Sequence, residues 1–252
     1  MNISALLIIP MAFVCEFMDS SLGMGYGTIL APILLLMGYE PLQIVPAILM
    51  SEFVTGFSAA FFHHSLNNVD FRRGSRDTKV ALALSVFSAI GVIIAVFLAV
   101  KLPLKVLKIW IGLIIIIMGI IILAMLNRVP RFTWRKILVL GSIASFNKGI
   151  SGGGYGPLVM GGQILSGIGV KNAVGITSLA ESVTCFVGIL MYFFLKSKVD
   201  WTLAPWLMAG AILSVPFAAH TLKAIPEKKV KFIVAIAILI LGVLAINKIL
   251  NK

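Results

Sequence analysis

Glu52 and Glu181 are the residues of this 252-residue chain best placed to do chemistry. Each stands in the middle of a long apolar run, where a carboxyl must face a cavity, find a donor or hold a proton. Such a group can take up and release a proton in a transport cycle. The two occupy the same place in two copies of one segment. Residues 23–57 align with 152–186 at a constant offset of 129, and eleven of the 35 positions are identical, against the roughly three to four expected by chance of two apolar segments. Membrane transporters are commonly built from such repeats, with the substrate site where the copies meet.

Each copy opens on a glycine cluster. The first, "SLGMGYGTIL", holds Gly23, Gly25, Tyr26, Gly27 and Thr28; the second, "SGGGYGPLVM", holds Gly152, Gly153, Gly154, Tyr155 and Gly156. In hydrocarbon, non-helical backbone persists only where protein or a water-filled cavity satisfies its N–H groups, so a glycine run at membrane depth marks a cavity. The helix that follows presents free N–H groups and a positive dipole end, and two such starts favour an anion. Thr28 can donate to a ligand or cap its turn, and Pro157 holds the matching first-turn position, which needs no N–H. The competing structural reading is that small residues merely let helices pack closely.

Asp19 and Lys148 align at the start of the two clusters with opposite sign. Lys148 either attracts an anionic substrate or neutralises Asp19 across the pseudo-symmetry axis. The ten cluster residues and Lys148 form the expected substrate-binding set, and Glu52, Glu181 and Asp19 the expected proton- or ion-coupling set. In the alternative reading the two glutamates stay neutral and tie down the broken helices. Glu16 has only Ser145 opposite it and falls outside the symmetric set.

The composition is 60% hydrophobic with a mean hydropathy of +1.09 and 12% charged residues, against roughly 25% charged in a soluble domain. This is an integral, multi-pass membrane protein of the cytoplasmic membrane with no soluble domain. Its net charge of +12 comes from groups between apolar runs, such as Arg72, Arg73, Arg76 and Lys79 or Arg128, Arg131, Arg135 and Lys136. They read as positive-inside anchors rather than a nucleic-acid surface. Cys15 and Cys185 lie in apolar runs and read as packing residues, while His63, His64 and His220 fall at span ends as interfacial side chains without metal-ligand spacing. No nucleophile–base pair or phosphate loop is present, so neither an enzyme nor a cofactor is expected. Nothing in the sequence specifies an oligomer. The first apolar run lacks a basic n-region and an A-x-A site, and it is expected to stay in the mature protein.

The elements follow from the apolar runs. Continuous spans are expected at 42–64, 78–100, 104–126, 170–195, 201–222 and 229–250. Broken helices are expected at 3–18 with 28–38 and at 134–146 with 157–167. Val69, Asp70 and Phe71 also match Val199, Asp200 and Trp201, and Pro103, Lys108 and Gly119 match Pro226, Lys231 and Gly242. The chain is thus an all-α polytopic membrane protein of two four-element repeats, 1–126 and 127–252. Lys and Arg divide 12 against 8 between the two faces if the broken elements cross, and 13 against 7 if they re-enter. The connection after the second helix carries four basic residues in the first half and only Lys196 and Lys198 in the second, which tips the reading slightly to inverted repeats.

The loops "MDSSLGMGYGTILAPILLLMG" and "NKGISGGGYGPLVMGGQILSG", the "NVDF" and "KVDW" turns, and the "LP" and "IP" before each fourth element resemble the sulfite exporter TauE/SafE family, also grouped as 4-toluene sulfonate uptake permeases. The resemblance covers nearly the whole chain. It implies a secondary transporter for a small sulfur-containing anion such as sulfite, sulfoacetate or another sulfonate, driven by an ion gradient, with H+ as a candidate coupling ion. The first loop departs from the family's glycine-richer, proline-led form at Met24, Tyr26 and Thr28. Two other readings of the residues stay open: a proton or cation channel lined by Glu52 and Glu181, and a membrane scaffold without transport.

Overall fold

A computed structural model describes residues 3–125, 134–195, 201–221 and 227–250. These residues form helices and no strands: α1 Ile3–Leu22, α2 Tyr26–Met37, α3 Pro41–Ser65, α4 Arg76–Ala99, α5 Leu104–Met125, α6 Trp134–Ser151, α7 Tyr155–Leu165, α8 Val170–Leu195, α9 Ala204–Thr221 and α10 Glu227–Leu250. The 126/127 boundary, the Val199–Asp200 match, Pro226, Lys196 and Lys198 lie outside the described residues, as does the side chain of Lys231.

Helix bounds follow local chemistry. Pro41 opens α3 behind a Glu40–Gln43 capping box, and Ser75 caps α4 by accepting the Thr78 N–H at 3.0 Å, both standard starts. The two broken helices part at residues with positive φ, Gly23 and Gly25 in one and Gly152 and Gly154 in the other, a conformation that costs glycine little. The repeat carries over to backbone bonds. Gly23 N–H donates to the Asp19 carbonyl and Gly152 N–H to that of Lys148; at the other end Tyr39 donates to Leu34 and Ile168 to Gln163. Each pair is again 129 residues apart.

Both broken helices fold back as hairpins. Gly162 of α7 packs on Leu140 of α6, so α7 runs back along α6. In the other copy the Ser20 carbonyl near the end of α1 accepts from His63 near the end of α3, whereas α2 finishes four residues before α3 begins. The hairpins are exchanged between the halves: α1 lies along α9 and α6 along α4, while α3 pairs with α8 and α5 with α10. Gly210 and Gly91 stand at the first two contacts, against Ile9 and against Ser142 and Ser145, close approaches of the small-residue kind found between membrane helices.

Polarity is reversed relative to a water-soluble protein. Phe61, Leu82, Phe194, Phe217 and Ile233 are each at least 60% exposed, while Glu16, Glu52, Lys148 and Glu181 are each at most 4% exposed. Apolar side chains face outward as they do towards lipid, and ionisable ones face inward. Among the described residues five helices are long and apolar enough to cross a membrane: α3, α4, α5, α8 and α10. The sixth expected crossing, α9, is 18 residues long and carries Pro205, Trp206, Pro216 and His220, which lower its hydropathy.

Candidate substrate and coupling site

The two glycine breaks meet each other. A Cβ added to Gly153 would stand 2.8 Å from the Gly27 carbonyl and 2.9 Å from the Thr28 Cα, and one added to Gly27 or Gly156 would overlap the Gly152 or Gly23 carbonyl. Thr28 does not cap its own turn; its hydroxyl accepts the Gly154 N–H of the opposite hairpin at 3.1 Å. The α2 start is also occupied, because the Asp19 carboxylate accepts the Tyr26 N–H at 3.2 Å. A carboxylate of the protein thus stands at one of the two dipole ends expected to draw an anion. Tyr26 donates to Ser51 at 2.8 Å and Tyr155 pairs with Ser88 at 3.0 Å, so each phenol ties its hairpin to a neighbouring helix.

The sequence-predicted charges converge behind these loops. The Lys148 ammonium, 1% exposed, donates to Glu181 Oε1 at 2.7 Å and is ion-paired with Glu52 Oε2. Neither sequence reading of Lys148 foresaw this, since its partners are the two repeated glutamates rather than Asp19. Cys185 adds a weak S–H contact of 3.8 Å to Glu52. The second Glu52 oxygen, Oε1, is buried without a hydrogen-bond partner, which marks an acceptor ready for a proton or a donor.

Glu16 joins this group although it has no acidic counterpart in the second half. Ser20 donates to one of its oxygens at 2.6 Å and Thr55 to the other at 3.1 Å. With Asp19, Glu52, Thr55, Gly56, Ser178 and Glu181 it lines a cavity of about 10 Å³, at the lower limit for a single water. The spacing of Glu16, Asp19 and Ser20 at i, i+3 and i+4 put them on one helix face, a signal available in the sequence. His63 is a correction to the interfacial reading: it is fully buried, with Nε2 at 2.8 Å from the Ser20 carbonyl and Nδ1 at 3.1 Å from Asn68. The tip of the first hairpin covers it. No group of three metal-ligating side chains occurs among the described residues.

A lipid-facing apolar rim around two broken helices and a buried ionic cluster defines a multi-pass membrane protein. Residues 8–245 match the sequence model of the family described as sulfite exporter TauE/SafE, and the chain belongs to that family of membrane transporters. It is also 27% identical over 217 residues to the probable membrane transporter protein YtnM of Bacillus subtilis (strain 168), covering 81% of this chain and 70% of that protein.

Proposed function

We propose that the chain is a secondary transporter that moves a small sulfur-containing anion, of the sulfite, sulfonate or sulfoacetate type, together with protons. The observation that carries this reading is a single buried ammonium, Lys148, held between carboxylates from both halves beside the crossed glycine breaks. Protonation of Glu52 and Glu181 releases their hold on Lys148, whose ammonium then pairs with the anion beside the crossed glycine breaks. Loss of the protons restores the glutamate–lysine contacts and expels the anion. Asp19 and Glu16 extend the proton path on the first-half side. A cavity of about 10 Å³ has no room for sulfite, so loading needs the halves 1–126 and 127–252 to move against each other.

The same reading takes the hairpins as re-entrant and the halves as inverted. Its support is that Asn172, at the start of α8, donates to Asp77 at the start of α4 at 2.6 Å, while Lys248, near the end of α10, donates to the Leu36 carbonyl near the end of α2 at 2.5 Å. The first hairpin then opens to the face where α2 and α10 end, and the second to the opposite face. The face with 13 of the 20 Lys and Arg outside the core is the cytoplasmic one.

The test is transport by the purified full chain in proteoliposomes. Saturable uptake of radiolabelled sulfite or of a sulfonate, stimulated by a pH gradient and reduced about a hundredfold by Glu52→Gln or Glu181→Gln, is the expected result. An unsaturable cation current indifferent to sulfite would establish a channel instead. No flux above that of protein-free liposomes would leave a scaffold, and flux unchanged in both variants would overturn the coupling role of the two glutamates.

A further inference from the structure

A second polar cavity lies far from the ionic cluster, at the end of the bundle where α2 and α10 finish and α3 and α5 start. Its volume is about 250 Å³, some 25 times that of the space beside Glu52. Three ammonium groups, Lys105, Lys108 and Lys248, and one carboxylate, Glu40, line it. Lys108 is paired with Glu40 at 2.9 Å, and Lys248 donates to the Leu36 carbonyl. Lys105 is exposed and has no ion-pair partner among the described residues. The cavity is therefore two positive charges in excess. Its remaining wall is mostly apolar, from Leu35, Leu36, Ala245 and Ile249 with Tyr39 beside them, and it stands beside the α5–α10 pair, whose outward side chains Leu104, Ile117, Ile240 and Val243 are exposed.

We propose that this cavity binds a phosphate group, with Lys105 and Lys248 as its principal ligands. Two of the three ammonium groups remain available after the Lys108–Glu40 pair, which suits a singly or doubly charged oxyanion. The adjoining apolar surface of α5 and α10 suits acyl chains, so an anionic phospholipid headgroup is the source that uses both halves of the site; free phosphate uses only the first. Because Lys248 also holds the end of the first hairpin, an occupant at this point bears on the arm that closes the central site. The proposal does not depend on which anion is transported.

The experiment is thermal unfolding of the purified full chain in detergent. Separate additions of phosphatidylglycerol, of phosphatidylcholine as a neutral control and of inorganic phosphate are compared. Phosphatidylglycerol is expected to raise Tm by about 5 °C at saturation, with no rise from phosphatidylcholine. A rise with phosphatidylglycerol alone assigns the site to lipid, and an equal rise with inorganic phosphate assigns it to the free ion. Lys105→Gln is expected to remove most of the rise and Lys105→Arg to keep it. Among the described residues Lys105 makes no tie within the fold, so this pair separates loss of charge from loss of structure where Lys248→Gln would not. No rise with either phosphate source, or a rise that Lys105→Gln leaves intact, overturns the proposal.

Discussion

The two glycine breaks share a backbone and oppose each other in charge. From Asp19 to Tyr39 and from Lys148 to Ile168 the same turns are closed by the same bonds, yet one loop begins with a carboxylate and the other with an ammonium. The duplicated glycines supply a crossing point for two chains, and the unmatched side chains supply its chemistry. Symmetry alone would place two like charges, or none, against the paired glutamates. Replacing one of the two by lysine gives the cluster a cation that both halves can hold.

The largest effect is expected from removing that cation. Lys148→Gln leaves Glu52 and Glu181 facing each other without a counter-charge, and loss of one partner of a buried pair costs about 3–5 kcal/mol. For a chain of this size the loss should appear as a Tm lower by roughly 10 °C or more, with sulfite flux abolished. Asp19→Asn keeps an oxygen for the Tyr26 N–H and should cost less than half as much. The double exchange Asp19→Lys with Lys148→Asp sharpens the comparison, because recovery of most of the lost Tm would mean that the two positions address the glutamates equivalently. No recovery would mean that the cluster is asymmetric beyond these two residues.

Next in size is the crossing itself. Gly27→Ala drives a methyl group into the Gly152 carbonyl and should cost about 3 kcal/mol, in the range of an overpacked core. Gly38→Ala meets open space and pays only for its positive φ, about 1 kcal/mol. Equal losses in Tm would show that the breaks need glycine for its φ and not for close approach. Thr28→Val leaves the Gly154 N–H without its acceptor, at about 1–2 kcal/mol, whereas Pro157→Ala at the matching place should cost under about 1 kcal/mol.

The smallest effect lies outside the membrane. Arg72 hydrogen-bonds Asp70 and holds its carboxyl below the ordinary aspartate value. That contribution is present above the ordinary value and disappears as pH falls through the lowered one. The pair is exposed to water, so Asp70→Asn should shift Tm by about 1 °C or less at neutral pH. A larger shift would move this turn from the periphery of the fold to its supports.

Much of this was legible in the sequence because it is local. Hydropathy and punctuation by Gly and Pro place each helix within a few residues; α8, expected at 170–195, is Val170–Leu195. The glycine breaks and the buried glutamates were visible for the same reason, as polar or flexible residues inside apolar runs. What escaped was set by partners distant in sequence, 43 residues apart for His63 and Ser20, 96 for Lys148 and Glu52 and 126 for Thr28 and Gly154. Lys148 lies beside Glu52 because α6 and α3 belong to interlocked halves, and Thr28 caps Gly154 across the same interface. His63 ends an apolar run and so reads as interfacial, but the tip of α1 lies over it. Glu16 lacked a symmetric counterpart, and reliance on symmetry left it out of the cluster it joins.

The exchange of hairpins between the halves also bears on how the chain is made. Ile9 of α1 packs on Gly210 of α9, so the first hairpin waits for about 200 further residues before its partner exists. At roughly 5–20 residues per second of synthesis that is about 10–40 s. For roughly the first two-thirds of that interval Asp19 and Glu16 lie in a half-built protein without Lys148, which emerges only with α6. The acidic first hairpin therefore completes its contacts late, and a truncated first half should be degraded rather than inserted as a stable unit.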